Sequence, residues 1–280
     1  MNFANFRGPG MAYDVADIMG GLYGEGIIAC EGAFAHDWVE RLGADIATLF
    51  AEARERPGGV LARGPNRYYV EIHPERVHGF LDLVTHPWVV AVCQAVLGPD
   101  YKVVEAGFDI PGPGAMRQPW HRDFAAPPET LVGRRLNSLA FNITTVDVTD
   151  DMGPLEIAPG TQWDAWPGAD PMFPPPALAP RYEARRQRKL PQMGDISARS
   201  ALTIHRGTEN RSARARPVFV LGVDAPDARN ADKHDLQLSA DFHARLPDAV
   251  RRHLACRVVD RLTPVVQAHT IEGLLMGSKG

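Results

Sequence analysis

The sequence predicts a mostly β fold with flanking helices, an α+β sandwich or barrel. Three observations carry this. From Tyr101 onward the chain falls into short runs rich in β-branched and aromatic residues, separated by Gly and Pro turns. That texture suits a sandwich or barrel better than βαβ units. Two stretches with helical spacing precede it, and 280 residues at 45% apolar content suffice for one large domain.

Taken in order, residues 1–20 read as a loosely held arm broken by Gly8-Pro9-Gly10 and Gly20-Gly21. A single domain is expected over 21–265 and a tail over 266–280. Gly26-Ile-Ile-Ala-Cys30 is a short apolar strand. Asp37 and Glu40 form a capping-box signature for a helix from about Trp38 to Ala53. Its stripe, Val39, Leu42, Ile46, Leu49, Phe50 and Ala53, recurs at helical spacing. Pro87 opens a second helix, Trp88 to Leu97, and Gly98-Pro99 stops it.

Strands are expected over 101–108 and 137–148. Asp151-Met-Gly-Pro-Leu-Glu-Ile-Ala-Pro-Gly160 reads as a turn, a short strand and a second turn. Gly194-Asp195 is a turn before a strand ending at His205, and Val218-Phe-Val-Leu-Gly-Val223 is a further strand. Between them, 164–193 is rich in proline and carries the basic cluster Arg185-Arg-Gln-Arg-Lys189. A connection so long without strands is expected to be a lid, a binding loop or disorder. The cluster reads as a solvated face, the favoured reading, or as a mouth-lining loop that attracts an anion. Residues 238–256 read as helical, with Leu246 and Val250 apolar.

A net charge of −4 gives no general attraction to nucleic acid or to an anionic membrane. Three scattered cysteines, Cys30, Cys93 and Cys256, suit a reducing cytoplasm rather than a disulfide scaffold. No signal peptide is expected, and no stretch approaches the roughly 18 apolar residues of a membrane span. There is no Gly-x-Ser-x-Gly elbow, phosphate loop or dinucleotide fingerprint. A small-molecule partner is expected, for a monomer or homodimer.

The chemistry concentrates in Gln118-Pro-Trp-His-Arg-Asp-Phe124 and Thr203-Ile-His-Arg-Gly207. On an extended strand, side chains at i and i+2 share a face, so His121 and Asp123 can grip one ion while Arg122 points away. With His205 they make a 2-His-1-carboxylate set, which holds iron(II) by one face and leaves positions open. The bare pattern is weak, because chance alone predicts about one His-x-Asp/Glu match in this composition. The second match, His73-Pro74-Glu75, has a proline at its middle position, which argues against a metal-bearing strand. For the remaining histidines a structural or surface role is the better expectation. Trp120, Phe124, Trp163 and Trp166 could line a pocket or simply pack.

Downstream, the Gly-Pro-Leu-Glu-Ile-Ala-Pro-Gly160 turn is followed by His205-Arg-Gly-Thr-Glu-Asn-Arg-Ser-Ala-Arg-Ala-Arg-Pro217. In this ordered set, from Tyr23 through about Val223, the chain resembles the phytanoyl-CoA dioxygenase-like family of iron(II)- and 2-oxoglutarate-dependent oxygenases. The resemblance implies a double-stranded β-helix, a jelly roll with helices packed on one sheet, with its core over about 101–225. It implies His121, Asp123 and His205 as metal ligands, and iron(II), 2-oxoglutarate and O2 as cofactors. The family's arginine eleven residues past the distal histidine falls on Arg216. A guanidinium offers a planar two-pronged donor set for a carboxylate. Arg206, Arg211 and Arg214 compete, and Arg216 ranks first because it opens an expected strand. Gln118, Asn142 and Thr144 are expected polar contacts to the co-substrate. Thr161-Gln162 departs from a Ser-His pair common in the family, and Trp163 suggests an apolar pocket wall.

The implied reaction is oxidative decarboxylation of 2-oxoglutarate to succinate and CO2 with hydroxylation of an unactivated C–H bond. Asp123 argues against halogenation, since related halogenases lack that carboxylate. Three other readings stay open. One is a cupin-like metalloenzyme without a 2-oxo acid, and another is an inactive jelly-roll binding module. The third, nucleic-acid dealkylation, is disfavoured by the acidic balance. Loops 54–80 and 164–193 would set the substrate, expected to be a free metabolite.

Overall fold

Alternation along the strands divides the molecule into a helix-covered face and a cavity face. The computed structural model describes residues 5–7, 13–123, 125, 128–166, 172–228 and 233–267. Before residue 101 come strands β1 (Asn5–Arg7), β2 (Ile27–Glu31), β3 (Leu61–Ala62) and β4 (Arg67–Glu71). Helices α1 (Val15–Gly24), α2 (His36–Arg54), α3 (Phe80–Thr85) and α4 (Pro87–Leu97) lie among them. Then follow β5 (Lys102–Pro111), α5 (Pro128–Gly133), β6 (Ser138–Thr144), β7 (Leu155–Ile157), α6 (Ala179–Arg185) and β8 (Gln187–Arg188). The chain continues through β9 (Ile196–Ser200), β10 (His205–Gly207) and β11 (Val218–Asp224). It closes with β12 (Gln237–Ser239), α7 (Ala240–Arg245), α8 (Asp248–Arg251) and β13 (Arg257–Val259).

The main sheet has eight strands in the order β1-β2-β9-β6-β11-β5-β4-β3, antiparallel except for β1 beside β2. A smaller sheet, β10-β7-β8, supplies the opposite wall of the cavity. One cross-strand row of the main sheet reads Ile196, Ile143, Phe219, Phe108 and Val70. All five are buried against the helices. The next row reads Ser197, Asn142, Val220, Gly107 and Glu71, small or polar except for Val220, and turns to the other face. Side chains alternate strictly along a strand, so one sequence serves both faces. Helix α2 buries Trp38, Val39, Leu42, Ile46 and Leu49, and α4 buries Trp88, Val89, Val92 and Cys93, in the same core as the outer rows. Each such side chain is worth roughly 1.5–3 kcal/mol of transfer free energy.

Several expectations need correction. The arm is not loose over its second half: Asp14 caps α1, which buries Ile18 and Leu22 completely. Residues 1–4 and 8–12 lie outside the described residues. A core over 101–225 is too narrow, because four of the eight main strands precede it. The capping box does not form. Helix α2 starts at His36 without a side-chain cap, and Asp37 pairs with Arg41 one turn on. The 164–193 connection is not strand-free, since it folds into α6 and β8, and β8 pairs with β7. The expected helix over 238–256 is two short ones, broken at Leu246 before Pro247. A residue preceding proline is disfavoured in helical geometry. In the presumed tail, Gln267 receives the Glu71 N–H and donates to the Glu71 carbonyl, while 268–280 lie outside the described residues.

The cysteines are free. Cys30 and Cys93 are buried and Cys256 is half-buried. Burial pushes the Cys30 thiol up to about 11.

Candidate metal centre

The site forms where β10 meets the segment 118–123. His121 and His205 face each other as an isolated antiparallel bridge, with backbone N–H···O distances of 3.0 and 2.9 Å. The Asp123 N–H donates to the Ala201 carbonyl at 2.8 Å. The motif therefore rides on an extended segment with one bridge rather than on a full strand. Likewise β9 does not run through to His205: it stops at Ser200, turns at 201–203, and restarts as β10. Gln118 pairs its backbone N–H with the Gly207 carbonyl at 2.9 Å, and its Oε1 accepts from the Gly207 N–H at 2.8 Å. A Cβ at Gly207 would lie 2.7 Å from both terminal nitrogens of Arg67 and 2.8 Å from Gln118 Oε1, so a side chain here would push those two tips aside.

The donor atoms of His121, Asp123 and His205 all lie within 4.8 Å of one another. The His121 Nδ1 lies 2.8 Å from the Pro119 carbonyl, and the His205 Nδ1 2.9 Å from the Thr203 carbonyl. The shorter Nδ1 contact of each ring is to a carbonyl, which only accepts, so a proton placed on Nδ1 leaves Nε2 to meet a metal; Arg199 Nη1 also lies 3.2 Å from the His205 Nδ1. Burial, reinforced by neighbouring His205, pushes His121 down to about 3, so it stays neutral. Burial alone would raise the Asp123 carboxyl, but Arg199 and His205 outweigh it and hold it well below the usual carboxylate range. A neutral His121 imidazole and an ionised Asp123 carboxylate are in the forms that can bind iron(II). The donor set fits the ion.

All seven residues singled out in the sequence line one cavity of about 430 Å3: His121, Asp123 and His205, then Arg216, Gln118, Asn142 and Thr144. Of the four competing arginines only Arg216 lines it. Its N–H donates to the Pro111 carbonyl at 3.1 Å, two residues before β11 begins. Arg206 turns outward from β10, against Trp120, and is taken up by Glu156 (2.7 Å) and Glu183 (2.6 Å). Arg211 and Arg214 are exposed. Burial, and then Arg67 alongside, lowers Arg216 to about 10, still a cation at neutral pH. Arg67 and Arg216 share this end of the cavity with a single carboxylate, Asp109, which pairs with Arg67 at 3.0 Å. The excess positive charge suits an anionic ligand. Thr144 donates its hydroxyl proton to the Val146 carbonyl at 3.0 Å, so it can only accept from a ligand.

Some readings shift. Gln162 and Trp163 do not wall the cavity. Gln162 Nε2 donates to the Tyr23 carbonyl at 2.8 Å and Trp163 Nε1 to the same oxygen at 3.2 Å, satisfying the end of α1. Trp120 packs with Ala158, Tyr182 and Ile204 in a small second core, and the Arg122 guanidinium covers Trp166. Phe124 lies outside the described residues. The basic cluster divides between both readings: Arg186 pairs with Glu183 and Arg188 with Asp150 and Glu156, while Arg188 and Lys189 also line the cavity. Among the cavity cations that the sequence reading did not single out are Arg67 and Arg199. Arg199 alternates with buried Ile196 and Ala198 along β9, and that alternation is the signal that places it on the polar face.

A jelly roll with such a cluster in one mouth is the architecture of the iron(II)- and 2-oxoglutarate-dependent oxygenases. A family model described as phytanoyl-CoA dioxygenase (PhyH) matches residues 22–218, and the chain belongs to that family. It is an oxidoreductase of the dioxygenase type, with iron(II), 2-oxoglutarate and O2 as its cofactors. No curated protein sequence matches it. Among solved structures it is similar to SnoK, a non-heme alpha-ketoglutarate-dependent carbocyclase from nogalamycin biosynthesis. Identity is 19% and the TM-score 0.56, over 75% of this chain and 85% of that one. SnoN, a non-heme alpha-ketoglutarate-dependent epimerase of the same biosynthesis, is 17% identical with a TM-score of 0.59, over 75% of this chain and 80% of that one. EctD from S. alaskensis, solved in its apoform, is 17% identical with a TM-score of 0.58, over 73% and 75%. At these identities the likeness concerns the fold. No helix among the described residues is long and apolar enough to cross a membrane.

Proposed function

We propose that the chain hydroxylates an unactivated C–H bond of a small-molecule metabolite, with His121, Asp123 and His205 holding iron(II). The observation that carries this reading is the convergence of two imidazoles, one carboxylate and a buried arginine in a single cavity. When bound, iron(II) and 2-oxoglutarate supply dioxygen activation, with succinate and CO2 as the by-products of substrate oxidation. The protein's part is to bind, orient and exclude. Arg216 takes the far carboxylate of 2-oxoglutarate, with Arg67 setting the charge around it and Asp109 limiting the excess. Gln118 holds Gly207 and with it the register of β10, while Asn142 and Thr144 contact the co-substrate from the sheet. Arg63, Arg67 and Tyr69, with Met172 and Arg188–Pro191, form cavity walls from the two loops expected to set the substrate.

Asp123 completes the ligand set and so argues against halogenation, which leaves hydroxylation, or a related desaturation, epoxidation or cyclisation. The carbocyclase and epimerase among the structural neighbours make ring closure and epimerisation the competing outcomes for the same cavity. Protein prepared without oxygen and given iron(II) and 2-oxoglutarate should show a weak visible charge-transfer band. A screen of metabolites for substrate-stimulated succinate should then name the substrate, and its product distinguishes hydroxylation from the two alternatives. Arg216→Ala should keep iron(II) binding but raise the 2-oxoglutarate requirement about 10–100-fold, the loss of one or two charge-assisted hydrogen bonds. An unchanged requirement would remove Arg216 from the co-substrate site.

A further inference from the structure

We propose that Arg199 is a positioning residue that restricts Asp123 to a single metal-facing oxygen. This rests on the reading of His121, Asp123 and His205 as the iron site. Arg199 occupies an inward position of β9, between Ile27 of β2 and Ala140 of β6, and is only 4% exposed. Its Nη2 donates to Asp123 Oδ2 at 2.5 Å, and its Nη1 lies 3.2 Å from both the Ser200 carbonyl and the His205 Nδ1. The other carboxylate oxygen, Oδ1, lies 3.3 Å from His205 Nε2, the nitrogen left for the metal. One oxygen therefore faces the cluster and the other faces the guanidinium.

The division matters because a carboxylate can bind an ion through one oxygen or two. Three protein donor atoms leave three positions on a six-coordinate ion, enough for a chelating 2-oxo acid and dioxygen. A fourth donor atom would remove one of them. Arg199 is suited to prevent this. It is permanently charged, its planar fork spans two acceptors at once, and it stands on the eight-stranded sheet. Asp123 itself sits on a segment held by one bridge, so the rigid element orients the less regular one.

Cobalt(II), added alone to the full-length protein, tests the assignment through its visible ligand-field spectrum, which reports coordination number. Arg199→Gln should change that spectrum and weaken 2-oxoglutarate binding to the cobalt protein about 10–100-fold, the usual effect of losing a group that orients a ligand. Arg199→Lys, which keeps the charge and one donor, should restore both in part. A wild-type spectrum and wild-type 2-oxoglutarate affinity in Arg199→Gln overturn the proposal. If that variant does not fold, a crystal structure of the cobalt-loaded wild type decides, with Asp123 bound through Oδ1 alone expected and a two-oxygen mode overturning it. Wild-type protein that binds no cobalt, or whose binding survives His121→Ala and His205→Ala, overturns the metal reading itself.

Discussion

His121 is held neutral by its surroundings, and that has a consequence for stability. Unfolded, its pKa is about 6.5; folded, burial lowers it to about 3. Between those values the unfolded chain binds the extra proton, so stability rises with pH across that window and falls on acidification. Asp123 acts lower. Its folded pKa lies below the unfolded one, so its contribution is present above the unfolded value of about 3.9 and is lost as pH falls further. The melting temperature of the metal-free protein should therefore drop between pH 7 and 4, and His121→Asn should flatten part of that slope. A variant melting with the full wild-type slope would place the acid sensitivity elsewhere. At this scale the sequence, with the family resemblance, pointed to the four residues that the cavity brings together, His121, Asp123, His205 and Arg216, because a short motif and a fixed spacing are local properties. It did not show Arg199 or Arg67, whose partners Asp123 and Asp109 are far away in the chain and meet them only in the folded molecule.

The small sheet depends on one carboxylate. Glu156, 2% exposed on β7, pairs with Arg206 of the adjacent β10 and with Arg188 of β8, on either side of it. Arg206 would keep Glu183 and Arg188 would keep Asp150, so Glu156→Ala removes charge-assisted hydrogen bonds without leaving a bare charge. It should cost about 1–3 kcal/mol in denaturant unfolding, whereas Arg188→Ala, with a side chain 40% exposed, should cost under about 1 kcal/mol. Equal effects would mean that Glu156 matters through packing rather than charge. The element reading succeeded where periodicity was strong, as in α2, α4 and β11. It failed where a tertiary partner decides. The expected box at Asp37 lost to Arg41, and residues 187–188 became a strand only because β7 offers an edge. Pro247 was a legible break that a helix assigned across it overlooked.

At the level of the whole molecule, the outer rows of the main sheet hold the fold and the inner rows furnish the cavity. Phe219 is buried between Ile143 and Phe108 on the helix side, while Asn142, one row over, lines the cavity. Phe219→Ala should cost about 3–5 kcal/mol of unfolding free energy. Asn142→Ala should stay within about 0.5 kcal/mol of wild type. Comparable losses at the two positions would show that the faces are not independent. The β-rich texture was legible from the chain because β-branched runs and turns are local. The contribution of β1–β4 was not, since only long-range pairing brings early strands beside late ones. Because the two sides of each strand answer to different demands, natural variation can revise what the chamber admits one side chain at a time while the folding equilibrium stays where it is. A scaffold so partitioned is free to change its chemistry without having to be rebuilt.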